Sequence, residues 1–183
     1  MKLDKITNKR TTENGINPND EFYTPSYAIK PLLKYLKSYD IIWCPFDTKE
    51  SLFVKELKKE GHEVIYTHIL EGKDFFEYEP ERYDCIVSNP PYSLKTKVLE
   101  RLFKLDKPFA MLLGVVGIFE SQKRFNMFKY NEFEIMYFNK RVSYFRDYND
   151  EKPMLNPPFS SVYITHNILP KQIVFEEIDK WKY

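Results

Sequence analysis

The chain has 183 residues, enough for one domain with its own hydrophobic core and too few for two full domains. Its 28 Lys and Arg residues nearly balance its 27 Asp and Glu residues. The formal net charge of +1 excludes the class of proteins that bind nucleic acid through a large overall positive charge. Aromatic residues make up 17% of the chain and only 5 residues are glycine, which excludes a disordered linker. Any binding of nucleic acid must therefore come from local basic patches.

The first 21 residues are polar and lack apolar periodicity, so we predict a polar N-terminal arm over 1–21 and a single domain over 22–183. The longest apolar run, Phe109 to Phe119, is too short to span a bilayer, and no signal peptide is recognisable. Cys44 and Cys85 lie in apolar runs without the spacing of a zinc site, which predicts buried free thiols and no metal centre. We expect a cytoplasmic protein that does not associate with membranes.

Segments with helical apolar spacing alternate with short apolar runs along the chain. A capping box at Asp47 and Glu50 predicts the start of the second helix, and Gly61 is placed to end it. The predicted elements are a helix over 26–36, a strand over 41–44, a helix between Asp47 and Gly61, strands over 63–67 and 83–87, a helix over 94–105, and strands over 109–116, 133–138 and 161–165.

This alternation predicts an α/β fold with a mostly parallel sheet, helices on both faces, and a C-terminal antiparallel strand pair joined without a helix. Ligands of such sheets bind at the carboxyl ends of the strands, which we call the ligand edge. The segments expected there are Cys44–Asp47, Thr67–Ile69 and Asn89–Tyr92.

The segment Ser88-Asn89-Pro90-Pro91-Tyr92 follows a buried strand and is typical of a binding site for a planar amino group. Two prolines force the backbone out of the sheet and leave carbonyl groups without ladder partners, while Asn89 adds an amide oxygen. These acceptors suit an exocyclic amino group, which offers two N–H donors on a flat ring that can stack on Tyr92.

The same pattern recurs at Asn156-Pro157-Pro158-Phe159. This second segment ends a polar loop and precedes a strand, so we expect it at the end of its strand that is opposite the ligand edge. We interpret it as a loop leading into the last strand, with Phe159 reaching the substrate.

Five segments occur in a characteristic order: Phe22-Tyr23-Thr24-Pro25, Cys44-Pro45-Phe46-Asp47, Gly72-Lys73-Asp74-Phe75-Phe76, Ser88-Asn89-Pro90-Pro91-Tyr92 and Pro158-Phe159-Ser160-Ser161. In this order they resemble the S-adenosylmethionine-dependent amino-methyltransferases that modify adenine N6 in DNA, in particular the short forms found in phages and mobile elements. The resemblance covers residues 21–169 and implies a Rossmann-like class I methyltransferase fold.

The resemblance also implies roles for individual residues. Asn89 and the Pro90 carbonyl would bind the target amino group, and Tyr92 would stack on a flipped adenine; these three are the implied catalytic residues. Pro91 and Phe159 are expected beside the same base. The residues implied around the cofactor S-adenosyl-L-methionine are Tyr23, Thr24, Pro25, Pro45, Phe46, Asp47, His68, Asp74, Phe75 and Asn89.

The expected reaction is direct transfer to the N6 nitrogen, whose lone pair is delocalised into the adenine ring. Hydrogen bonds from the amino protons to Asn89 and Pro90 would shift that lone pair back toward the nitrogen, which then attacks the sulfonium methyl in line. Neither a covalent enzyme intermediate nor a metal is needed, because positioning and polar preorganisation supply the rate. Flipping the base costs a few kcal/mol, and stacking on Tyr92 offsets about 1 to 3 kcal/mol of it.

The cofactor region departs from the family pattern at two positions. Residues 44–51 contain no glycine where the family has a glycine-rich turn, and His68 stands where an acidic residue is expected to hold the ribose. One interpretation is an active enzyme in which Asp47 takes the aminium contact and His68 or water holds the ribose. The alternatives are a catalytically decayed module that binds DNA or protein, and a methyltransferase acting on RNA adenine or a protein glutamine amide.

Basic residues follow the long central strand, beginning at Lys123 and Arg124 and continuing to Arg146. A basic rim can follow a phosphate backbone, so we predict that Lys123 and Arg124 contact duplex DNA; the alternative is an ordinary solvated face. Little of the chain remains for a target-recognition domain. We therefore expect sequence recognition from this region, the N-terminal arm, a homodimer mate or a separate specificity partner.

Overall fold

The computed structural model describes residues 22–147, 149–153 and 155–180, so the predicted arm over 1–21 lies outside the described residues. No helix in these ranges is long and apolar enough to cross a membrane. Cys44 and Cys85 are both buried free thiols, as predicted. Burial raises the pKa of each thiol, so both behave as small apolar residues at neutral pH.

A seven-stranded sheet runs through the described chain. Its strands are β1 (Ile41–Cys44), β2 (Glu63–Tyr66), β3 (Cys85–Ser88), β4 (Phe109–Gly114), β5 (Glu134–Phe138), β6 (Ser161–His166) and β7 (Ile173–Glu176). Their spatial order is β2-β1-β3-β4-β6-β5-β7. Strands β2, β1, β3 and β4 are parallel, β6 is antiparallel to both β4 and β5, and β7 is parallel to β5. The sheet is therefore mostly parallel with an antiparallel C-terminal pair, as predicted.

Helices cover both faces of this sheet. They are α1 (Ser26–Leu33), α2 (Leu52–Lys59), α3 (Lys95–Leu105) and α4 (Gln122–Tyr130). The buried apolar residues of α1 and α2 belong to one core cluster, and those of α3 and α4 to another. Within β1, Ile42 and Cys44 pack into the first cluster while Ile41 and Trp43 pack into the second. Both faces of the strand are thus buried, which explains its continuous apolar sequence.

The second helix begins later than predicted. Its N-cap is Ser51, so the capping box assigned to Asp47 and Glu50 is wrong. The Asp47 carboxylate accepts hydrogen bonds from the Ser51 and Ser88 hydroxyls, and Glu50 pairs with Lys55 at 3.0 Å. Both carboxylates therefore have side-chain partners in place of the backbone N–H groups that a capping box would use.

Two elements, α4 and β7, were not predicted, and α1 ends at Leu33 instead of Leu36. Phe128 is the buried residue of α4 and Val174 that of β7, while Phe125 and Phe175 are exposed. A helix or strand that buries so little shows no apolar periodicity in its sequence.

The ligand edge is formed by the carboxyl ends of β1, β3 and β4, at Cys44, Ser88 and Gly114. Because β6 runs in the opposite direction, its first residue, Ser161, pairs with Gly114. The segment that precedes β6 therefore also lies at the ligand edge.

Candidate active site

The amide of Asn89, directly after β3, is held in one orientation. Its nitrogen donates to the Phe22 carbonyl at 2.6 Å and to the Thr24 hydroxyl at 3.1 Å. Its Oδ1 atom is buried and has no hydrogen-bond partner among the described residues. An unpaired buried acceptor lowers the free energy of unfolding by about 1 to 3 kcal/mol. The Asn89 oxygen therefore does not stabilise the fold, and a fixed, unpaired acceptor of this kind indicates a binding site.

The two prolines carry the chain from β3 into a short 3-10 turn at Tyr92–Leu94. Pro90 is buried and Pro91 is half-buried. The Pro91 carbonyl accepts a hydrogen bond from the Leu94 N–H at 3.0 Å and so helps to close the turn. This turn fixes the position of Tyr92 relative to Asn89.

Four rings at the ligand edge, which we call the aromatic cluster, comprise Phe22, Tyr92, Tyr144 and Phe159. Tyr92 stacks on Phe22 with ring centroids 5.1 Å apart, and Phe159 is tilted against Tyr92 at 5.3 Å. Tyr144 lies 5.2 Å from Phe22, and its hydroxyl is 2.8 Å from that of Tyr92. The predicted aromatic residues Tyr92 and Phe159 are thus brought together, at the centroid separations typical of interacting rings.

The expectation that the second Asn-Pro-Pro segment lies opposite the ligand edge is wrong. The reversed direction of β6 places residues 156–159 at that edge, and a Cβ atom added to Gly114 would lie 3.0 Å from the Phe159 ring. Gly114 does not have a positive φ, so the backbone conformation does not require glycine there. The lack of a side chain instead allows the Phe159 ring to approach closely. Gly114 is a site residue that was not predicted from the sequence. The one feature that could have indicated it is the presence of a glycine at the end of an apolar strand.

A buried carboxylate, that of Asp47, is hydrogen-bonded to Ser88, the residue directly before Asn89. It accepts hydrogen bonds from the hydroxyl of Ser51 and, at 2.5 Å, from that of Ser88. Burial raises the pKa of Asp47 to about 6, although these two hydrogen bonds oppose the shift. No cation in the described part of the chain is paired with it. A buried carboxylate without a counter-charge suits a cationic ligand.

The N-terminal segment of the described chain borders the same region. Tyr23 pairs with Phe145 through backbone hydrogen bonds of 3.4 and 3.0 Å, and Thr24 is buried. Pro25 is buried and is the N-cap of α1. Phe22, whose carbonyl accepts from Asn89, belongs to the first of the five segments but is not among the predicted site residues.

The remaining residues predicted around the cofactor lie after β1 and β2. Pro45 is buried, and the half-buried Phe46 ring lies 4.9 Å from Phe75. Phe75 is itself buried, 5.4 Å from the Trp43 ring, in the core cluster beneath α3 and α4.

His68 and Asp74 each hold a turn. The Nδ1 atom of His68 accepts from the Leu70 N–H at 3.2 Å, and Asp74 Oδ1 accepts from the Phe76 N–H at 2.9 Å. Both side chains are half-buried. The Nδ1 hydrogen bond leaves the ring's Nε2 atom as a donor.

The predicted phosphate contacts, Lys123 and Arg124, lie on α4, and both have partners elsewhere in the protein. Lys123 is exposed and pairs with Glu100 at 2.7 Å. Arg124 donates to the carbonyls of Gly117 and Ile118 and to Thr96, at distances from 2.6 to 3.2 Å. Arg124 therefore holds the turn after β4 against α3.

No group of three or more His, Cys, Asp or Glu side chains within the described ranges is arranged to hold a metal ion.

No protein-family model and no curated protein matches this sequence. Among solved structures, the chain is similar to the methyltransferase subunit of a type I restriction-modification system from Streptococcus thermophilus, with 14% identity and a TM-score of 0.54 over 86% of this chain and 47% of that one. It also matches a protein from Vibrio vulnificus YJ016 described as a modification subunit of a type I restriction enzyme, with 10% identity and a TM-score of 0.47 over 87% of this chain and 47% of that one. The chain spans about half the length of these structures. The first likeness confirms the predicted fold class, an α/β fold of the methyltransferase type.

Proposed function

We propose that this protein transfers a methyl group from S-adenosyl-L-methionine to the N6 amino group of an adenine flipped out of DNA. The observation that supports the proposal best is the Asn89 amide, whose nitrogen is bonded to Phe22 and Thr24 while its buried oxygen has no partner among the described residues. The oxygen is thus a preorganised acceptor at the ligand edge, where α/β folds bind their substrates.

In this proposal, Asn89 Oδ1 and the Pro90 carbonyl each accept one N–H of the target amino group. The two acceptors match the two N–H donors of an amino group, whereas a hydroxyl has only one donor, and neither acceptor carries the charge that would compensate a buried lysine ammonium. Each hydrogen bond draws a proton of the amino group away from the ring plane. The lone pair is then less delocalised and the nitrogen is a better nucleophile. Because the acceptors are fixed before the substrate binds, no reorganisation is needed at the moment of reaction.

The aromatic cluster holds the base in the same proposal. Tyr92 and Phe159 lie 5.3 Å apart with ring planes at 59°, so they offer two aromatic surfaces of different orientation to a planar ligand. Contact with Pro91 would add an apolar wall. Stacking contributes about 1 to 3 kcal/mol per base, comparable to the few kcal/mol needed to extrude a base from a duplex.

Asp47 supports the choice of cofactor, because its uncompensated buried carboxylate suits the amino group of a methionine moiety. When bound, S-adenosyl-L-methionine supplies an activated methyl group on a sulfonium. Tyr23, Thr24, Pro25, Pro45 and Phe46 would border its methionine end. His68 would reach the ribose through Nε2, and Asp74 with Phe75 would adjoin the adenine.

The choice of DNA as substrate and of a separate specificity partner is supported by the similar Streptococcus thermophilus protein, a methyltransferase subunit of a restriction-modification system. Lys123 and Arg124 already have protein partners, which is consistent with weak binding of DNA by this chain alone. A gel shift with duplex and single-stranded DNA checks this point. Tight, sequence-selective binding by the chain alone would contradict the need for a partner.

The function is tested by transfer of tritiated methyl from S-adenosyl-L-methionine to duplex DNA, RNA and a protein with accessible glutamines. We expect label in DNA, recovered as N6-methyladenine after digestion, and its loss in Asn89→Ala. Asn156→Ala is the matched control, since it removes the amide of the other Asn-Pro-Pro segment. Label only in RNA or protein would overturn the DNA assignment. No transfer, together with no calorimetric heat of cofactor binding, would overturn the enzyme assignment.

A further inference from the structure

We infer that Tyr144 is a positioning residue for the target base, a role that rests on the function proposed above: its buried hydroxyl fixes the ring of Tyr92. Tyr144 lies between β5 and β6 and belongs to none of the motifs in the sequence. Its side chain is fully buried, whereas that of Tyr92 is half-buried at the ligand edge. The two therefore differ in their freedom to move, and the buried ring can restrain the other.

Three hydroxyl groups are connected by hydrogen bonds. The Tyr144 hydroxyl lies 2.7 Å from Ser161 Oγ and 2.8 Å from the Tyr92 hydroxyl. A phenol has one proton and two acceptor positions, so the Tyr144 hydroxyl can serve both neighbours at once. Burial raises the pKa of Tyr144 well above its usual value, so it keeps its proton at neutral pH. The Tyr92 hydroxyl thus has a buried partner that holds the outer end of its ring in place.

The backbone around Tyr144 is held from both sides. Tyr144 and Leu155 exchange backbone hydrogen bonds of 2.8 and 2.9 Å. The preceding Ser143 both accepts from and donates to the Tyr27 hydroxyl at 2.8 Å, and the following Phe145 pairs with Tyr23. The Tyr144 ring also contacts Phe22, the residue whose carbonyl holds Asn89. Tyr144 is consequently a rigid reference for the acceptor and for the stacking ring at once.

Stacking on a flat base depends on the plane of the Tyr92 ring. Packing against Phe22 at 5.1 Å and Phe159 at 5.3 Å limits that ring, but aromatic packing tolerates several angles. The hydrogen bond to Tyr144 limits the tilt of the ring, because the hydroxyl lies at the end of the ring's long axis and hydrogen bonds weaken steeply away from linear geometry. Loss of the Tyr144 hydroxyl should therefore weaken base binding without removing any atom that touches the base.

The test is a double-mutant cycle of Tyr144→Phe and Tyr92→Phe, each of which deletes one hydroxyl and keeps the ring. Two readouts are measured: kcat and KM for methyl transfer to DNA, and the Kd for a single-stranded oligonucleotide carrying one 2-aminopurine, from its stacking-dependent fluorescence. We expect each single variant to raise KM and Kd about fivefold to tenfold with little change in kcat, and the double variant to match the single ones.

Tyr83→Phe is the matched control, because Tyr83 is another buried phenol with a side-chain hydrogen bond, to Glu79 at 2.7 Å, and it precedes β3 at the opposite edge of the sheet. It should lower thermal stability comparably to Tyr144→Phe while leaving KM and Kd unchanged. A positioning role is overturned if the two single effects multiply in the double variant, or if Tyr144→Phe changes KM and Kd no more than Tyr83→Phe does.

The two readouts separate this role from the function itself. A wild-type protein that transfers methyl but shows multiplicative effects contradicts the role of Tyr144 alone. A wild-type protein that transfers no methyl but binds the 2-aminopurine probe, with effects that do not multiply, contradicts the proposed reaction and retains the role of Tyr144. Failure of the wild type in both measurements overturns both.

Discussion

The two Asn-Pro-Pro-aromatic segments, 89–92 and 156–159, share their sequence pattern but not their use of it. The Asn89 oxygen has no partner among the described residues, whereas the Asn156 oxygen accepts from the Ser143 hydroxyl at 2.5 Å. Their aromatic residues nevertheless converge, with Tyr92 and Phe159 in contact. The difference teaches that an amide becomes a binding group only where its surroundings satisfy the nitrogen and leave the oxygen unpaired. An aromatic ring needs only to reach the right edge of the sheet.

The amides provide the largest expected contrast. Asn89→Ala should lower kcat for DNA methylation about a thousandfold, because it removes a preorganised acceptor from the reacting nitrogen. Asn156→Ala should change kcat less than threefold and lower stability by about 1 kcal/mol through loss of the Ser143 hydrogen bond. Steady-state kinetics and thermal melting of both variants check this. Equal losses of kcat would mean that the two amides have equivalent roles.

The rings should behave alike where the amides do not. Tyr92→Ala and Phe159→Ala should each lower kcat/KM for DNA about fivefold to 150-fold, the range given by about 1 to 3 kcal/mol of stacking per base. Leu70→Ala is a control for loss of a large apolar side chain, since Leu70 is exposed after β2. If Phe159→Ala has no more effect than Leu70→Ala, the second segment is only a loop before β6.

The Asp47 carboxylate is a second difference between the two Asn-Pro-Pro segments. It accepts a hydrogen bond from Ser88, the residue directly before Asn89. Its pKa is raised to about 6, so the fraction that is ionised, and able to bind a cation, falls as pH drops through 6. Calorimetric affinity for S-adenosyl-L-methionine should therefore fall about fivefold between pH 6 and pH 5.

Asp47→Asn is the control for that pH profile. It should bind S-adenosyl-L-methionine more weakly than the wild type at pH 7.5 and show a flat profile between pH 5 and pH 7. A wild-type affinity that does not change over this range would mean that Asp47 does not face the cofactor's charge.

The smallest expected effect concerns the space beneath the second aromatic ring. Gly114→Ala places a methyl group about 3.0 Å from the Phe159 ring, which must shift by a few tenths of an ångström. We expect Gly114→Ala to raise KM for DNA about threefold to fivefold. When it is combined with Phe159→Leu, the KM of the double variant should be no higher than that of Phe159→Leu alone. A KM unchanged by Gly114→Ala would show that the depth of Phe159 does not matter to the substrate.

The sequence alone was sufficient to predict a mostly parallel sheet and its ligand edge, because buried strands such as Phe109–Gly114 have continuous apolar runs. It also predicted that Asn89 and Tyr92 would lie together, since they are three positions apart in one short segment. The position of the second Asn-Pro-Pro segment was predicted incorrectly for a geometric reason: the rule for ligand edges applies to parallel strands, and β6 is antiparallel.

Contacts between distant parts of the chain could not be predicted from local patterns. The hydrogen bond between Tyr92 and Tyr144 spans 52 positions, and that from Asn89 to Phe22 spans 67. Neither leaves a periodic trace in the sequence. Asp47 matches the capping-box pattern in the sequence, but in the fold it is buried. Its carboxylate accepts hydrogen bonds from the hydroxyls of Ser51 and Ser88 instead of from backbone N–H groups.

The placement of β6 also has a consequence for folding. This strand is late in the chain, yet it lies between β4 and β5 in the sheet, so the sheet is continuous only after β6 has inserted. Insertion is also the event that brings Phe159 and Ser161 to Gly114, Tyr92 and Tyr144. A partly folded chain with β6 still outside would have Asn89 but not the complete aromatic cluster. The aromatic half of the site is therefore assembled by a non-local strand pairing, which is the slow kind of step in folding.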